Sequence, residues 1–341
     1  MTCPDRRTEA FFALLRSGLW ERPLRGTEAE AVAALAPDDW FALDRLARKQ
    51  SVPGLIYQAL TLLPAGTAVP GDVVLDLMAR AEEIRLENQH KAAVTALLTE
   101  RFAQQGISPR VMKGASVAVY YSRPELRESG DIDLYVVPEA FEQAKACLTA
   151  PYRASDGSFH SKEDGVDIDL HDRYFDLHCA DSRLPQPGTP EATLLMLSAH
   201  ILKHAIGVGV GLRQCCDLAA AYRCLEADLE PEALKDCFRR TGTLRWNRLL
   251  FSFLAEWLDV DEKMFAGERV SGDPLLRIIL EGGNFGHYAD ARLDGLAAGG
   301  RHRKRDTFRR FVRRLPFSLR YAPRETSATI FTLLRGNLRR G

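Results

Sequence analysis

Two short stretches alternate apolar with acidic residues, Ile132-Asp133-Leu134-Tyr135-Val136 and Val166-Asp167-Ile168-Asp169-Leu170, whereas helical spacing dominates elsewhere. A period of two sends successive side chains to opposite faces of a strand; apolar residues three and four apart line one face of a helix. Such a chain has to set a small sheet among helices. Upstream, Phe11, Phe12, Leu14 and Leu15 mark a helix over 9–19, and Leu43, Leu46 and Ala47 mark another over 40–49. Thr27-Glu-Ala-Glu reads as a capping box opening a short helix, and Val52-Pro-Gly-Leu-Ile-Tyr starts a further turn and helix. Residues 72–105 form a long run rich in Ala, Leu, Glu and Arg, ended by Gly106. The pattern then changes to a strand over Ile107–Met112, a helix from Lys113 through Tyr121, the strand from Ile132, a helix over Pro138–Leu148, and the strand from Val166. Pro185-Gln-Pro-Gly-Thr-Pro breaks the chain, and only helical periods follow from Glu191.

The expected class is α+β, predominantly helical. An N-terminal helical region spans 1–105, a core with a small mixed sheet 106–184, and a C-terminal helical region with a basic tail 185–341. The 46% hydrophobic and 27% charged content is ordinary for a soluble globular chain. No apolar stretch approaches the roughly 18 to 20 residues a bilayer requires, and no signal-peptide core follows Met1, so no membrane partner is expected. Seven cysteines (Cys3, Cys147, Cys179, Cys215, Cys216, Cys224, Cys237) include no CxxC pair. Reduced thiols and a cytoplasmic location are expected, and a zinc site is not. Lys+Arg and Asp+Glu balance at 46 each, yet residues 301–341 hold thirteen of the former against two of the latter. That tail is suited to nucleic acid, other phosphates or an acidic partner, or else to solvated helix faces.

The chemistry lies in Ser129-Gly130-Asp131-Ile132-Asp133. On a strand Asp131 and Asp133 share one face, and carboxylates that close repel unless a cation holds them. A divalent ion is the economical answer, Mg²⁺ or Mn²⁺ by the hardness of oxygen ligands. The second strand puts Asp167, Asp169 and His171 on a common face. If the strands are neighbours, one of its aspartates completes a three-carboxylate set able to clamp two metal ions for nucleotidyl transfer. Lys113-Gly114-Ala115-Ser116 is a strand-to-helix turn whose backbone N–H groups, Lys113 cation and Ser116 hydroxyl suit a phosphate.

The run Val111-Met-Lys-Gly-Ala through Tyr120, Arg127 and Ser129-Gly-Asp131-Ile-Asp133-Leu, with Asp169-Leu170-His171 downstream, resembles the uncharacterised nucleotidyltransferase family of the polymerase-beta-like superfamily. His200, His204 and Cys216-Asp217-Leu218 resemble its C-terminal helices, and Trp40 to Leu55 its N-terminal ones. The resemblance implies a polymerase-beta-like core and metal-dependent transfer of a nucleoside monophosphate from an NTP, ATP by preference, to an acceptor, with release of pyrophosphate. It implies Asp131, Asp133 and Asp169 as catalytic metal ligands, Asp169 being preferred to Asp167 because the family's acid lies two residues before the His. The wider superfamily has Gly-Ser or Gly-Gly at the phosphate turn, so Ala115 shifts any hydroxyl contact to Ser116.

Around that set, Lys113 suits either a phosphate or a carboxylate, Arg127 either a loop anchor or the triphosphate, and His171 a phosphate, Asp169 or a structural bond. Lys203 and His204 are further candidates to touch the nucleotide. His200 and His204 lie one helical turn apart, but the HExxH glutamate is missing. The acceptor stays open among a small molecule, a peptide or protein, and RNA. The rival reading is a catalytically idle nucleotide- or nucleic-acid-binding protein that uses the basic tail.

Overall fold

The computed structural model describes residues 5–154, 158–179, 184–207, 209–283 and 300–338. It divides into two compact units, residues 1–48 with 52–174, and residues 49–51 with 175–341.

The first unit begins with α1 (Arg6–Trp20), α2 (Gly26–Ala33), α3 (Pro37–Lys49) and α4 (Pro53–Leu60), followed by the long α5 (Gly71–Gln104). Asp5 caps α1 by accepting from the Thr8 N–H at 2.8 Å. The capping box expected at Thr27 lies two residues earlier. Glu28 closes it by accepting from the Arg25 N–H at 3.0 Å, because the same carboxylate also meets Arg16 and Arg22, each at 2.7 Å. Burial alone would raise the Glu28 carboxyl, but bonds from Arg22, the Arg25 N–H and Arg16 outweigh it and hold the pKa down at about 2. Glu28→Gln should therefore lose about 1–2 kcal/mol in urea unfolding at neutral pH. A depressed folded-state pKa stabilises above the ordinary carboxylate value and is lost as pH falls towards 2, so the gap between wild type and variant should close over that range.

The sheet follows: β1 (Arg110–Met112), α6 (Gly114–Ala118), β2 (Ile132–Tyr135), α7 (Phe141–Ala146), β3 (Tyr152–Arg153), β4 (Phe159–Glu163) and β5 (Val166–His171). Among the described residues the strands pair in the order β1-β2-β5-β4-β3. β2 and β5 are parallel and the other pairs antiparallel, so the small sheet is mixed, as expected. One face is apolar: Ile132, Leu134, Val136, Val166, Ile168 and Leu170 pack with Val94, Leu98 and Phe102 of α5. Each such side chain contributes roughly 1.5–3 kcal/mol on burial, which pins the register and turns the acidic residues to the other face.

β3 and β4 were not expected from the sequence, and β1 and α6 are shorter than their apolar runs. β4 reaches β5 through Asp164-Gly165, where both residues have positive φ (46° and 80°), the backbone of a two-residue hairpin turn. A Cβ at Gly165 would meet nothing within 4 Å. Gly165→Ala should therefore cost only the backbone strain, about 1 kcal/mol in urea unfolding.

The second unit holds α8 (Pro190–Ile206), α9 (Leu212–Leu225), α10 (Pro231–Thr241), α11 (Leu244–Leu258), α12 (Asp273–Gly282), α13 (Gly300–Tyr321) and α14 (Pro323–Leu338). Cys215, Cys216 and Asp217 are buried in α9, which fits packing. Cys3 and residues 339–341 of the basic tail lie outside the described residues. No helix among the described residues is long and apolar enough to cross a membrane.

Candidate metal centre

Parallel pairing of β2 with β5 sets Asp133 beside Asp169 and Tyr135 beside His171. Adjacent strands lie about 4.8 Å apart, so the two carboxylates are neighbours on the polar face. One ligand atom each from Asp133, Asp169 and His171 falls within 4.8 Å of the others, a group able to hold a metal ion. Two carboxylate oxygens and an imidazole nitrogen suit a divalent cation, so the donor set fits one.

Cationic and imidazole side chains surround the acids. Lys113 Nζ donates to Asp133 Oδ1 at 3.0 Å, and His171 Nε2 lies 2.7 Å from the same oxygen. Of the two roles open to Lys113, the carboxylate partner is the one observed. It sits at φ 49° with Gly114 at φ 29°, a strained turn that swings its side chain to β2. Ser116 Oγ donates to the Lys113 carbonyl at 2.8 Å, closing that turn, while Ala115 is exposed. Asp169 pairs with His160 Nδ1 of β4. The other ring nitrogen of His160 lies 2.6 Å from Ser158 Oγ, and Tyr152 stacks on the ring. Burial first, then the charges of Asp131 and Asp133, push the Asp169 carboxyl up to about 6 against the opposing pull of His160 and His171.

Asp131 is exposed just before β2 and lies outside the 4.8 Å group, though its charge reaches Asp169. A cavity of about 260 Å³ opens beside it, lined also by Glu87, His90, Lys91, Gly130 and Asp167. Asp167 is exposed and pairs with Lys162 at 3.6 Å. Arg127 is buried and donates to the Glu128 carbonyl at 3.2 Å, the geometry of an anchor. Asn88 of α5 donates to the carbonyls of Glu125 and Arg127, both at 2.9 Å, and Lys91 to that of Ser129 at 2.7 Å. The loop that delivers Asp131 and Asp133 is thus tied down by one helix. Lys203 and His204 lie on α8 of the second unit, where Lys203 pairs with Asp176 at 2.9 Å and His204 faces His200.

Sequence reasoning missed His160, Asn88 and Lys91. The Asp-Gly dipeptide after Phe159-His-Ser-Lys-Glu was a hairpin signal for the first. An Asn within a run of good helix formers was a weaker one for the second.

Neither a curated protein nor a solved structure matches the chain. The family described as uncharacterised nucleotidyltransferase matches residues 36–259, a span that contains Lys113, both acidic strands and every residue that supports them. With well over half its length inside that match, the chain belongs to the uncharacterised nucleotidyltransferase family.

Proposed function

We propose that this chain transfers a nucleoside monophosphate from an NTP, ATP by preference, to an acceptor hydroxyl or phosphate and releases pyrophosphate. The observation that carries the reading is the in-register pair Asp133 and Asp169 on the polar face of β2 and β5. Asp131, Asp133 and Asp169 are the proposed ligands of Mg²⁺ or Mn²⁺, on a polymerase-beta-like core. A divalent ion held there would lower the pKa of the attacking hydroxyl and offset charge on the triphosphate and the leaving pyrophosphate. Lys113 and His171 fix the rotamer of Asp133, and His160 that of Asp169, while Asp131, outside the 4.8 Å group, would have to approach them to complete the set. Asn88 and Lys91 hold the 125–129 loop, and through it the approach to Asp131.

Incubation with α-labelled ATP and the other NTPs, Mg²⁺ and fractionated cell extract tests this. Label should enter an acceptor with wild type and fail to do so with Asp169→Asn. Binding of RNA or DNA that weakens steeply with salt, with no metal-dependent labelling from any NTP, would replace the proposal by the idle binding protein.

A further inference from the structure

We propose that His200 and His204 form a binding site for a divalent transition ion in the second unit, independent of the carboxylates on the sheet. The two residues are four apart on α8, so their rings emerge on the same side of the helix. Their Nε2 atoms face each other at 3.2 Å, with ring planes at 80° and centroids 4.4 Å apart. A tetrahedral ion with metal–nitrogen bonds of about 2.0–2.1 Å holds two ligand nitrogens about 3.3 Å apart. The pair already has that spacing.

The second observation is behind the ring. His200 Nδ1 lies 3.3 Å from Asp176 Oδ2, and Lys203 Nζ holds the other oxygen of that carboxylate at 2.9 Å. A carboxylate on the far nitrogen fixes the tautomer that leaves Nε2 bare and raises its basicity, the usual support of a metal-binding histidine. His200 is thus prepared as a ligand, and His204 completes a two-nitrogen clamp. Water or an oxygen of a further ligand would fill the remaining positions. Imidazole donors select borderline ions such as Zn²⁺, Ni²⁺ or Cu²⁺ over Mg²⁺. Ile201 stands where the HExxH helix carries its glutamate, so the site is one of binding and not of peptide hydrolysis. The competing account is a plain hydrogen bond in which one Nε2–H donates to the other ring.

Titration of the full chain with Zn²⁺, followed by calorimetry, separates them when Asp133→Asn is run beside wild type to identify any ion held at the sheet centre, whose His171 also accepts Zn²⁺. Wild type and Asp133→Asn should both bind a Zn²⁺ that His200→Gln and His204→Gln each lose, and Asp176→Asn should bind it about 10- to 100-fold more weakly. Co²⁺ added to wild type should give the visible absorption of a nitrogen-ligated ion, a readout that needs no variant to fold. Zn²⁺ binding of unchanged stoichiometry and affinity in folded His204→Gln, or no nitrogen-ligated Co²⁺ in wild type, would overturn the proposal.

Discussion

Asp133→Asn should abolish the Mg²⁺ dependence of NTP binding and lower nucleotidyl transfer by about a thousandfold, the equivalent of roughly 4 kcal/mol of transition-state stabilisation. Asp133 is the side chain on which the centre converges: it is 7% exposed, it receives Lys113 and His171 on one oxygen, and it neighbours Asp169 across the parallel pair. The amide keeps the shape but removes the charge that balances Lys113 and any bound cation, so circular dichroism should change little. Asp167→Asn is the control, since Asp167 is exposed and pairs only loosely with Lys162 at 3.6 Å. Asp169→Asn should spare much of the NTP affinity while removing turnover, if its charge mainly serves the attacking hydroxyl. Calorimetry with and without Mg²⁺ gives the first quantity and labelled NTP turnover the second. Equal metal dependence in wild type and Asp133→Asn would remove the carboxylate pair from the centre of the mechanism.

What was legible in the sequence was whatever periodicity writes directly. The alternation in Ile132–Val136 and Val166–Leu170 gave the two acidic strands β2 and β5 and the face on which the acids lie, since their core-facing side chains are aliphatic throughout. β4 escaped because two of its three inward residues are polar, Phe159 alone packing against the core. Ser161 and Glu163 are buried there, and Glu163 is satisfied by the Thr149 N–H at 2.5 Å, Arg101 at 3.0 Å and Ser161 at 3.1 Å. A strand whose core face carries one aromatic, a serine and a hydrogen-bonded carboxylate shows too little hydrophobic alternation to read, and His160 was lost with it. The roles of Lys113 and Arg127 were open for a related reason. A lysine beside a glycine turn suits a phosphate and a carboxylate equally well, and only the pairing of β1 with β2, which brings Met112 opposite Asp133, shows which carboxylate lies within its reach. The box at Glu28 moved because two arginines from outside the helix compete for its carboxylate, a tertiary effect that no four-residue motif contains.

Gly54→Ala should destabilise the chain by about 3 kcal/mol although alanine is the better helix former. A Cβ on Gly54 would stand 2.0 Å from the Leu126 carbonyl oxygen and 3.0 Å from its carbon, both backbone atoms that cannot rotate away. Leu126 is buried, and the carbonyls on either side of it, Glu125 and Arg127, accept from Asn88. Relief therefore demands either that α4 retreat or that the loop abandon those bonds, and the loop leads straight to Asp131 and Asp133. Gly18 of α1 makes the same kind of contact one layer out, its Cβ position lying 1.9 Å from the Leu55 carbonyl oxygen. Gly18→Ala should cost a similar amount. Gly71, at the start of α5, supplies the control: nothing lies within 4 Å of its Cβ position, so Gly71→Ala should be neutral or stabilise by up to about 1 kcal/mol. Urea unfolding of the three single variants orders them. If Gly54→Ala matches wild type in midpoint, the backbone approach of α4 to Leu126 is wrong. If it unfolds early yet retains full metal-dependent turnover when folded, the loop takes its geometry from Asn88 and Lys91 alone.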